Sequence, residues 1–473
     1  MIYLQKRKPV LRFFRLNDPY RLLGVLLMMI IIGLPMLTSP EALLQEFKDI
    51  VLGEALNDGK TMYLQVLDDT PWLAAWFAKW IGFIFGRSVT ARHILALFFL
   101  FFQSAFFCLI LIRNKAYNEN NYLPGLIFGI LCFFSFDLIS LSHELLASTL
   151  LLLALNNLFK EIEFKVQLDE TVLNLGVYLG IASMLVFSYT LFLLGTIMIL
   201  AIFARITFRK SMLLLFGFVF PHSLLLCYYY FHDGLPAIAN YFYDANFTIH
   251  TVDLITWKSL LPLGSALLIF LFFSIIMLGR EARFTKYQSQ LMQVMLLWML
   301  LAIAEIFFTR ERTPHSFITF IPPLTYFISH YLLLIRRKWI SETMLWILLL
   351  SVIGISTASR LGKLNSVSYS SMKVKKSAFS QSIENKRVLI LADDFGLYEN
   401  NKMSSYFLNW HFAKHIFEHP EFYENIVLIN SSFQKDLPDV IIDENGLMEK
   451  VFPRLPQFKK QFYQKGKTYE RIR

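Results

Sequence analysis

Long apolar runs constrain this chain more than any other feature of its sequence. Hydrophobic residues make up 56% of the 473 positions and charged residues only 17%, whereas soluble globular chains have roughly 45–50% and about 25%. The runs are long enough to supply the roughly 20 apolar residues that a helix needs to cross a bilayer. The composition therefore predicts a polytopic α-helical membrane protein.

The apolar runs predict about 11 transmembrane helices. The predicted spans are residues 21–37, 93–112, 123–140, 142–158, 172–187, 189–205, 212–230, 258–279, 289–308, 315–335 and 340–359. Residues 71–86 are also apolar, but the run is short, rich in Trp and interrupted by Lys79. We interpret it as a helix lying in the membrane interface, where Trp is enriched. A true span at 71–86 is the alternative, and it would move every later loop to the opposite side.

Basic residues indicate the topology. Predicted inner loops carry clusters such as Arg280, Arg283 and Lys286, whereas the predicted outer loop 231–257 contains no Lys or Arg. The positive-inside rule then predicts a multi-pass protein of the cytoplasmic (inner) membrane with a cytoplasmic N-terminus and an extracytoplasmic, periplasmic C-terminus. This topology signal also explains the net charge of +10, so no nucleic-acid partner is predicted.

The composition changes after the last span. Residues 1–359 are predicted to form the transmembrane domain, 360–386 a Ser/Lys-rich linker or strap, and 387–473 a small soluble α/β domain outside the membrane. Within the last domain we expect strands at 387–394, 425–430 and 438–443, a helix at 404–420 and a helical, basic tail. No Gly-rich phosphate loop supports nucleotide binding.

The first outer loop, residues 38–92, is the longest acidic interruption of the apolar pattern. Its carboxylates are Glu41, Glu46, Asp49, Glu54, Asp58, Asp68 and Asp69. Taken singly, such acids are more often part of a solvated surface than of a site. Asp68 and Asp69, just before Pro71, are also explained as caps of the interfacial helix.

A second group of charged residues lies at predicted membrane boundaries on the same outer side. Charged groups in lipid are costly and are therefore functional candidates. The group consists of Asp137, Glu144, Arg310, Arg312 and His315. A structural explanation exists for most members: Glu144 favours a helix dipole, the two arginines snorkel or pair with nearby Glu side chains, and His315 is a first-turn polar residue. No His-Glu-x-x-His zinc motif occurs.

The order of these motifs resembles the GT-C superfamily of polyprenyl-phosphate-sugar-dependent glycosyltransferases, in particular the protein mannosyltransferase and aminoarabinose transferase branches. The resemblance covers about residues 38–335. It rests on PEALL (40–44), GEALNDG (53–59), DTPWLAAWF (69–77), FIFGRSVTARHILAL (83–97), SHELLASTLLLLAL (142–155) and TPHSFITFIPPL (313–324). The chain departs from the family in two places: Pro40-Glu41 replaces the usual Asp-Glu pair, and Asp69-Thr70-Pro71 replaces Lys-Pro-Pro.

The resemblance implies a role for each candidate. A carboxylate takes the proton of the acceptor hydroxyl, first Glu41 and second Glu54, while Arg310, Arg312 and His315 bind the donor phosphate. The residues expected to orient the sugar or a cation are Glu144, Asp137, Asp68 and Asp69. The implied partners are a polyprenyl-phosphate lipid, membrane lipids and envelope proteins. A divalent cation is a further expectation, although the sequence does not identify its ligands.

A different class of function is also compatible with these residues. Because consensus residues are missing from the first loop, the chain is alternatively a non-catalytic membrane subunit of an envelope or secretion assembly. Its C-terminal domain would then be a docking module. A transporter is a weaker alternative, because it would require Gly/Pro-broken helices in matched halves.

Overall fold

The computed structural model describes residues 10–163, 168–204, 206–248, 251–281, 284–377, 379 and 383–472. Helices dominate these residues. In chain order they are α1 (Val10–Phe14), α2 (Arg21–Thr38), α3 (Leu44–Asn57), α4 (Trp72–Phe85), α5 (Val89–Arg113), α6 (Leu123–Leu131), α7 (His143–Ile162), α8 (Asp169–Leu185), α9 (Thr190–Phe203), α10 (Phe208–Tyr230), α11 (Leu235–Ile238), α12 (Ala245–Phe247), α13 (Trp257–Glu281), α14 (Lys286–Phe308), α15 (Ile321–Leu334), α16 (Lys338–Arg360), α17 (Trp410–Glu418), α18 (Tyr423–Lys435), α19 (Met448–Val451) and α20 (Pro456–Lys459).

Short strands and 3-10 segments connect the helices. The strands are β1 (Val252–Asp253), β2 (Glu311–Arg312), β3 (Arg387–Ile390), β4 (Lys402–Met403), β5 (Val440–Ile442), β6 (Phe462–Lys465) and β7 (Thr468–Arg471). Three 3-10 segments bear on the site: Phe136–Ile139, Phe187–Tyr189 and Pro314–Phe320.

The chain is a polytopic α-helical membrane protein. Among the described residues, 8 helices are long and apolar enough to cross a membrane: α2, α5, α7, α10, α13, α14, α16 and Pro314–Leu334. All eleven predicted spans contain helical residues, but three of them do so in shorter elements. The predicted span 123–140 is split into α6 and the 3-10 segment Phe136–Ile139, so a continuous helix there was the wrong prediction. Pro124 lies in the first turn of α6, and this helix ends at Leu131, five residues before the 3-10 segment begins.

Helix α4 matches the predicted apolar helix at 71–86. Its 14 residues extend about 21 Å at 1.5 Å per residue, short of the roughly 30 Å of a hydrocarbon core. One face, Ala74, Ala75 and Ala78, is buried, while Trp76 and Trp80 are about half exposed at 48% and 47%. This division supports an interfacial position, which remains a prediction.

The described residues divide into two compact units. The described residues of the first unit fall within 1–41, 89–224 and 249–372, and those of the second within 42–88, 225–248 and 373–473. The first unit contains most of the long apolar helices. The second contains the first loop together with the C-terminal residues.

The second unit is built on a mixed sheet. Among the described residues the strand order is β4-β3-β5-β7-β6, with β4, β3 and β5 parallel and β7 antiparallel to both β5 and β6. Leu389 pairs with Ile441 and Ile441 with Tyr469. Helices α17, α18 and α19 supply apolar side chains to the core of this sheet.

The first loop contributes to the core of this unit. Leu67 is 2% exposed and belongs to the same apolar cluster as Leu389 and Phe417. Its amide donates to the carbonyl of Tyr406 at 2.8 Å, and its carbonyl accepts from the amide of Asn409 at 3.1 Å. The sequence contains no local signal for this pairing.

Several predictions for 387–473 were wrong. Residues 425–430 are not a strand but part of α18, with Ile429 and Phe433 buried and Val427 44% exposed. This spacing is helical, and a six-residue apolar run by itself does not distinguish a strand from a helix.

The helix predicted at 404–420 begins only at Trp410. The Asn409 side chain accepts from the amide of His411 and caps the helix, as Asn does at N-termini. The tail is helical only in α19 and α20; residues 462–471 form the hairpin β6–β7, which turns at Gly466 with φ +63°.

Candidate functional site

Four buried titratable side chains lie near the start of α7 in the first unit. They are Asp137, Glu144, Glu305 and His315, which are 1%, 5%, 1% and 2% exposed. We refer to them as the buried carboxylate cluster. They come from two 3-10 segments, the first turn of α7 and the last turn of α14.

His315 links Asp137 to the start of α7. Its amide donates to Asp137 Oδ2 at 2.8 Å, and its Nδ1 lies 3.1 Å from the Asp137 carbonyl oxygen. Because a carbonyl oxygen only accepts, Nδ1 must carry a proton. In the neutral imidazole, Nε2 then accepts from Ser142 Oγ, 2.8 Å away. Ser142 also caps α7 by accepting from the amide of Leu145.

The two glutamates of the cluster have neutral partners. Glu305 Oε1 accepts from Ser188 Oγ at 2.6 Å and from Thr309 Oγ1 at 2.8 Å, and Glu144 Oε1 accepts from Ser316 Oγ at 3.4 Å. In the described part of the chain, the second oxygen of each glutamate is buried without a hydrogen-bond partner. Such a group costs free energy, so the pair is a candidate for contact with a ligand.

Asp137 lies outside the long apolar helices, in the 3-10 segment before α7. Burial raises the pKa of Asp137 to about 6, although hydrogen bonds from Ser135 and from the amide of His315 favour the ionised carboxylate and oppose this shift. The carboxyl therefore titrates close to neutral pH, as groups that exchange protons do.

Arg312 is the best-defined cation of the predicted phosphate-binding group. Its side chain is buried, its Nε donates to the carbonyl of Ile306 at 3.2 Å, and it forms an ion pair with Asp253. The guanidinium lies 5.0 Å from the centroid of the Trp257 ring. The β1–β2 pairing sets this geometry, because it aligns Asp253 with Arg312.

Glu54 is placed in a structural network of the second unit. Arg87 Nε donates to Glu54 Oε1 at 2.5 Å and its NH2 group to Oε2 at 2.6 Å. The remaining N–H groups of Arg87 donate to the carbonyls of Tyr398, Glu399 and Asn401. All five guanidinium donors are thereby used. We refer to these residues as the Arg87 network.

Asp68 and Asp69 also take part in the structure of the second unit. The Asn409 side-chain amide donates to Asp68 Oδ1 at 3.1 Å and to Asp69 Oδ1 at 2.7 Å. Asp68 Oδ2 accepts from the amide of Thr70 at 3.3 Å, which is the local geometry of a turn leading into α4. The capping explanation was wrong for Asp68: the N-cap residue of α4 is Pro71, no side-chain cap hydrogen bond is made there, and the amide of Thr70 lies before the helix begins.

The structure brings some candidates together and not others. Asp137, Glu144 and His315 share the buried carboxylate cluster of the first unit, and Arg312 lies three residues before His315. Glu41 is exposed in the segment before α3, and Arg310 is half-buried next to β2. Glu54, Asp68 and Asp69 belong to the second unit.

Sequence reasoning did not include several residues of this region among the site residues. The hydroxyls of Ser142, Ser188, Thr309 and Ser316 lack a distinctive pattern, because serine and threonine are common at helix ends. Arg92 is only 2% exposed in the first turn of α5. An arginine this close to a long apolar run was a usable signal.

A metal site is not evident in the side chains that the structure describes, because no group of three or more His, Cys, Asp and Glu residues is arranged to hold an ion. The buried carboxylate cluster offers oxygen ligands of the type that divalent cations prefer. The expected divalent cation therefore stays a prediction.

No family model matches the sequence, and no curated protein matches it. Solved structures do match. The apo crystal structure of the Archaeoglobus fulgidus oligosaccharyltransferase has a TM-score of 0.49 and 10% identity, with 96% of this chain and 74% of that chain covered. ArnT from Cupriavidus metallidurans, in a structure bound to undecaprenyl phosphate, has a TM-score of 0.48 and 13% identity, with 72% and 63% covered.

A third match is the archaeal oligosaccharyltransferase AglB from Archaeoglobus fulgidus in complex with an inhibitory peptide and a dolichol-phosphate, with a TM-score of 0.47, 11% identity and 96% and 74% covered. These proteins are GT-C membrane glycosyltransferases, the class that the sequence motifs resemble. Because the TM-scores of these three matches are below 0.5, we base the proposed function on the residues of this chain.

Proposed function

We propose that this chain is a membrane glycosyltransferase that moves a sugar from a polyprenyl-phosphate carrier to an extracytoplasmic glycan, lipid or protein. The observation that carries the proposal is the buried carboxylate cluster, where Glu144 and Glu305 each keep one buried oxygen without a hydrogen-bond partner in the described structure. Burying an ionisable group inside a membrane protein costs free energy, so such groups are retained mainly for function.

The reaction consists of one bond exchange. The acceptor oxygen attacks the anomeric carbon, the bond from that carbon to the phosphate oxygen breaks, and polyprenyl phosphate leaves with the electron pair. A carboxylate takes the acceptor proton. Cationic donors stabilise the leaving phosphate, and Arg312 supports this role because it is buried, oriented by Asp253 and stacked on Trp257. Arg310 and His315 are the other proposed phosphate ligands.

Glu41 is the first choice for the base. Both carboxylate oxygens of Glu54, the second choice, already accept hydrogen bonds from Arg87, so neither is free to accept the proton of an acceptor hydroxyl without breaking that pair. Asp137 and Glu144 are proposed to orient the sugar. The partners of Asp68 favour a structural role for that residue, and Asp69 shares its contact with Asn409.

Lipid binding tests the proposal first. Undecaprenyl phosphate bound to the purified chain in lipid nanodiscs can be counted by native mass spectrometry for wild type, Arg312→Gln and Lys258→Gln. We expect binding to weaken about tenfold or more in Arg312→Gln, because the loss of a buried charged donor costs about 1.5–3 kcal/mol. Lys258, an exposed cation next to Trp257, is the matched control and should behave as wild type. No binding, or equal binding by Arg312→Gln, would overturn the phosphate site.

Sugar transfer tests the base. Release of polyprenyl phosphate from a panel of polyprenyl-phosphate sugars should be abolished by Glu41→Gln at unchanged protein yield. Glu54→Gln should keep most of the activity. Full activity in both variants would exclude both residues as the base.

One observation favours the second candidate function, a non-catalytic subunit of an envelope or secretion assembly. Glu54, Asp68 and Asp69 all bond within the second unit, as expected of a scaffold. Purification with stoichiometric protein partners, together with no binding of polyprenyl phosphate, would support this function in place of the transferase.

A further inference from the structure

Three histidines follow one another at a spacing of four residues in the second unit. They are His411, His415 and His419, on α17 and at its C-terminal cap. Four residues are about one helical turn, so this spacing places the three side chains along one side of the helix. The amide of His419 donates to the carbonyl of His415 at 3.2 Å, so the helical hydrogen-bond pattern extends to the cap.

The rings of His415 and His419 are close enough to share a ligand. Their centroids are 4.9 Å apart, and their planes are inclined at 48°. Two imidazoles bound to one tetrahedral ion at Zn–N distances of about 2.0–2.1 Å have centroids roughly 5 Å apart. The ring of His411 instead lies edge-on to Phe412, at a centroid separation of 5.8 Å. The second and third histidines are therefore the pair that suits a metal ion.

A carboxylate orients the His419 ring. Its Nδ1 lies 2.8 Å from Glu421 Oε1, and because an ionised carboxylate only accepts, Nδ1 carries a proton. In the neutral ring, Nε2 then has its lone pair available to an ion. Metal-binding histidines typically have such a partner on the second nitrogen, which fixes the tautomer and the ring orientation. The His419 and Glu421 side chains are 45% and 55% exposed, so an ion can reach them from solvent.

The backbone that carries this pair is held by further contacts. The Asn425 side-chain amide donates to the carbonyl of His419 at 2.8 Å, which ties the end of α17 to α18. His415 is exposed on α17. Its basic neighbour Lys414 has Nζ 3.8 Å from Glu418 Oε1, so the nearest positive charge in the sequence is offset by a carboxylate.

We propose that His415 and His419 bind one divalent transition-metal ion, such as Zn²⁺, with Glu421 as a positioning residue and water in the remaining coordination positions. Imidazole nitrogen favours Zn²⁺, Cu²⁺ and Ni²⁺, whereas Mg²⁺ prefers oxygen ligands. The ion joins the last turn of α17 to the cap, so its expected role is to stabilise this end of the helix. None of these residues belongs to the proposed transferase site.

The sequence pattern agrees with a zinc-type ion. Residues 415–419 read HIFEH, which matches the His-x-x-Glu-His spacing that presents two imidazoles on one helix face in a class of zinc hydrolases. Catalytic zinc sites have three protein ligands, and no group of three or more metal-ligating side chains occurs among the residues that the structure describes. The proposal is therefore for ion binding and not for hydrolysis.

Calorimetric titration of the purified, tag-free and metal-free full chain with Zn²⁺ and with Mg²⁺ tests the site. We expect Zn²⁺ affinity to fall about tenfold or more in His415→Gln, because even the partners of metal ligands contribute about 10–100-fold. Mg²⁺ should give no signal that His415→Gln removes. His411→Gln is the matched control, because it removes a histidine from the same side of the helix, and it should bind Zn²⁺ as wild type does.

Cu²⁺ is a spectroscopic probe of the same site. Its electron paramagnetic resonance spectrum should show two imidazole nitrogens in wild type and in Glu421→Gln but one in His419→Gln, while Glu421→Gln weakens Zn²⁺ binding about tenfold. Melting temperatures measured with a chelator present verify that each variant folds. No Zn²⁺ binding by wild type, unchanged affinity in both His415→Gln and His419→Gln, or an equal loss in His411→Gln would overturn the proposal.

Discussion

Carboxylates are buried or half-buried in both units, but their partners differ. In the Arg87 network, both oxygens of Glu54 accept from a guanidinium, and elsewhere in the same unit Asp436 lies 2.7 Å from Lys60 Nζ. In the buried carboxylate cluster, Glu305 accepts only from the hydroxyls of Ser188 and Thr309 among the described hydrogen bonds.

This difference separates structural charges from candidate functional ones. For a buried carboxylate next to a cation, the electrostatic attraction offsets part of the desolvation free energy. Removing one partner of such a pair is strongly destabilising. A buried carboxylate that has only hydroxyl partners recovers less, so its presence costs stability. Side chains of the second kind are expected to matter more for activity than for stability.

The largest expected effect is a loss of sugar transfer when a residue of the buried carboxylate cluster is substituted. Glu144→Gln should lower the transfer rate by about 100-fold, because positioned acid, base and electrostatic groups contribute about 10² or more. The melting temperature should not fall, since the substitution removes a buried charge. The measurement is the turnover of sugar transfer per folded molecule, with Lys258→Gln measured in parallel as the control. An unchanged rate would remove Glu144 from the site.

The next effect is a pH dependence of stability. Because the pKa of Asp137 is raised from 3.8 to about 6 in the folded chain, the folded state holds this proton more tightly than the unfolded state. Stability should therefore decrease as pH rises from about 4 to 6, by up to about 3 kcal/mol, and then stay level.

Melting temperatures of wild type and Asp137→Asn measured between pH 4 and 8 check this effect. The asparagine variant should lack this part of the decline, so the two curves should diverge as pH increases. Parallel curves would mean that Asp137 does not resist ionisation in the folded protein.

A smaller effect is expected from the Arg87 network. Arg87→Gln leaves Glu54 and three backbone carbonyls without their donor, but the Arg87 side chain is 35% exposed, so water replaces part of the loss. We expect a loss of about 1–2 kcal/mol in stability. Thermal unfolding of the purified chain measures it, and a melting temperature equal to that of wild type would show that the network is dispensable.

The smallest expected effects are two changes in stability of opposite sign, one in each unit. Glu305→Gln removes a buried charge and should raise stability by up to about 1 kcal/mol, whereas Glu54→Gln weakens an ion pair and should lower it by a similar amount. Thermal unfolding of the two variants under identical conditions is the measurement. Changes of the same sign would contradict the distinction between the units.

Much of the helical architecture was predictable from the sequence. The run at 21–37 became α2, and 258–279 became α13, because a long apolar run has few alternatives to a helix in a membrane. Glu144 and His315 were predictable as candidates, since charged residues near membrane spans are rare and costly.

Other features depended on distant residues. The short run 425–430 became a helix because Ile429 and Phe433 pack into the core of the C-terminal sheet. The backbone hydrogen bond between Leu67 and Tyr406 has no local sequence signal, and neither do the hydrogen bonds from Arg87 to three backbone carbonyls in residues 398–401. Each of these contacts joins residues more than 300 positions apart.

The sequence by itself determined the membrane class, the position of the long helices and the residue types at the candidate site, because these follow from hydrophobicity and from the cost of charge in lipid. Only the tertiary structure decided which carboxylates are neutralised. Glu54 and Glu144 look alike in the sequence as acids near apolar runs, yet one bonds to a guanidinium and the other to a hydroxyl. The cause is the packing that brings Arg87 to the first residue and Ser316 to the second.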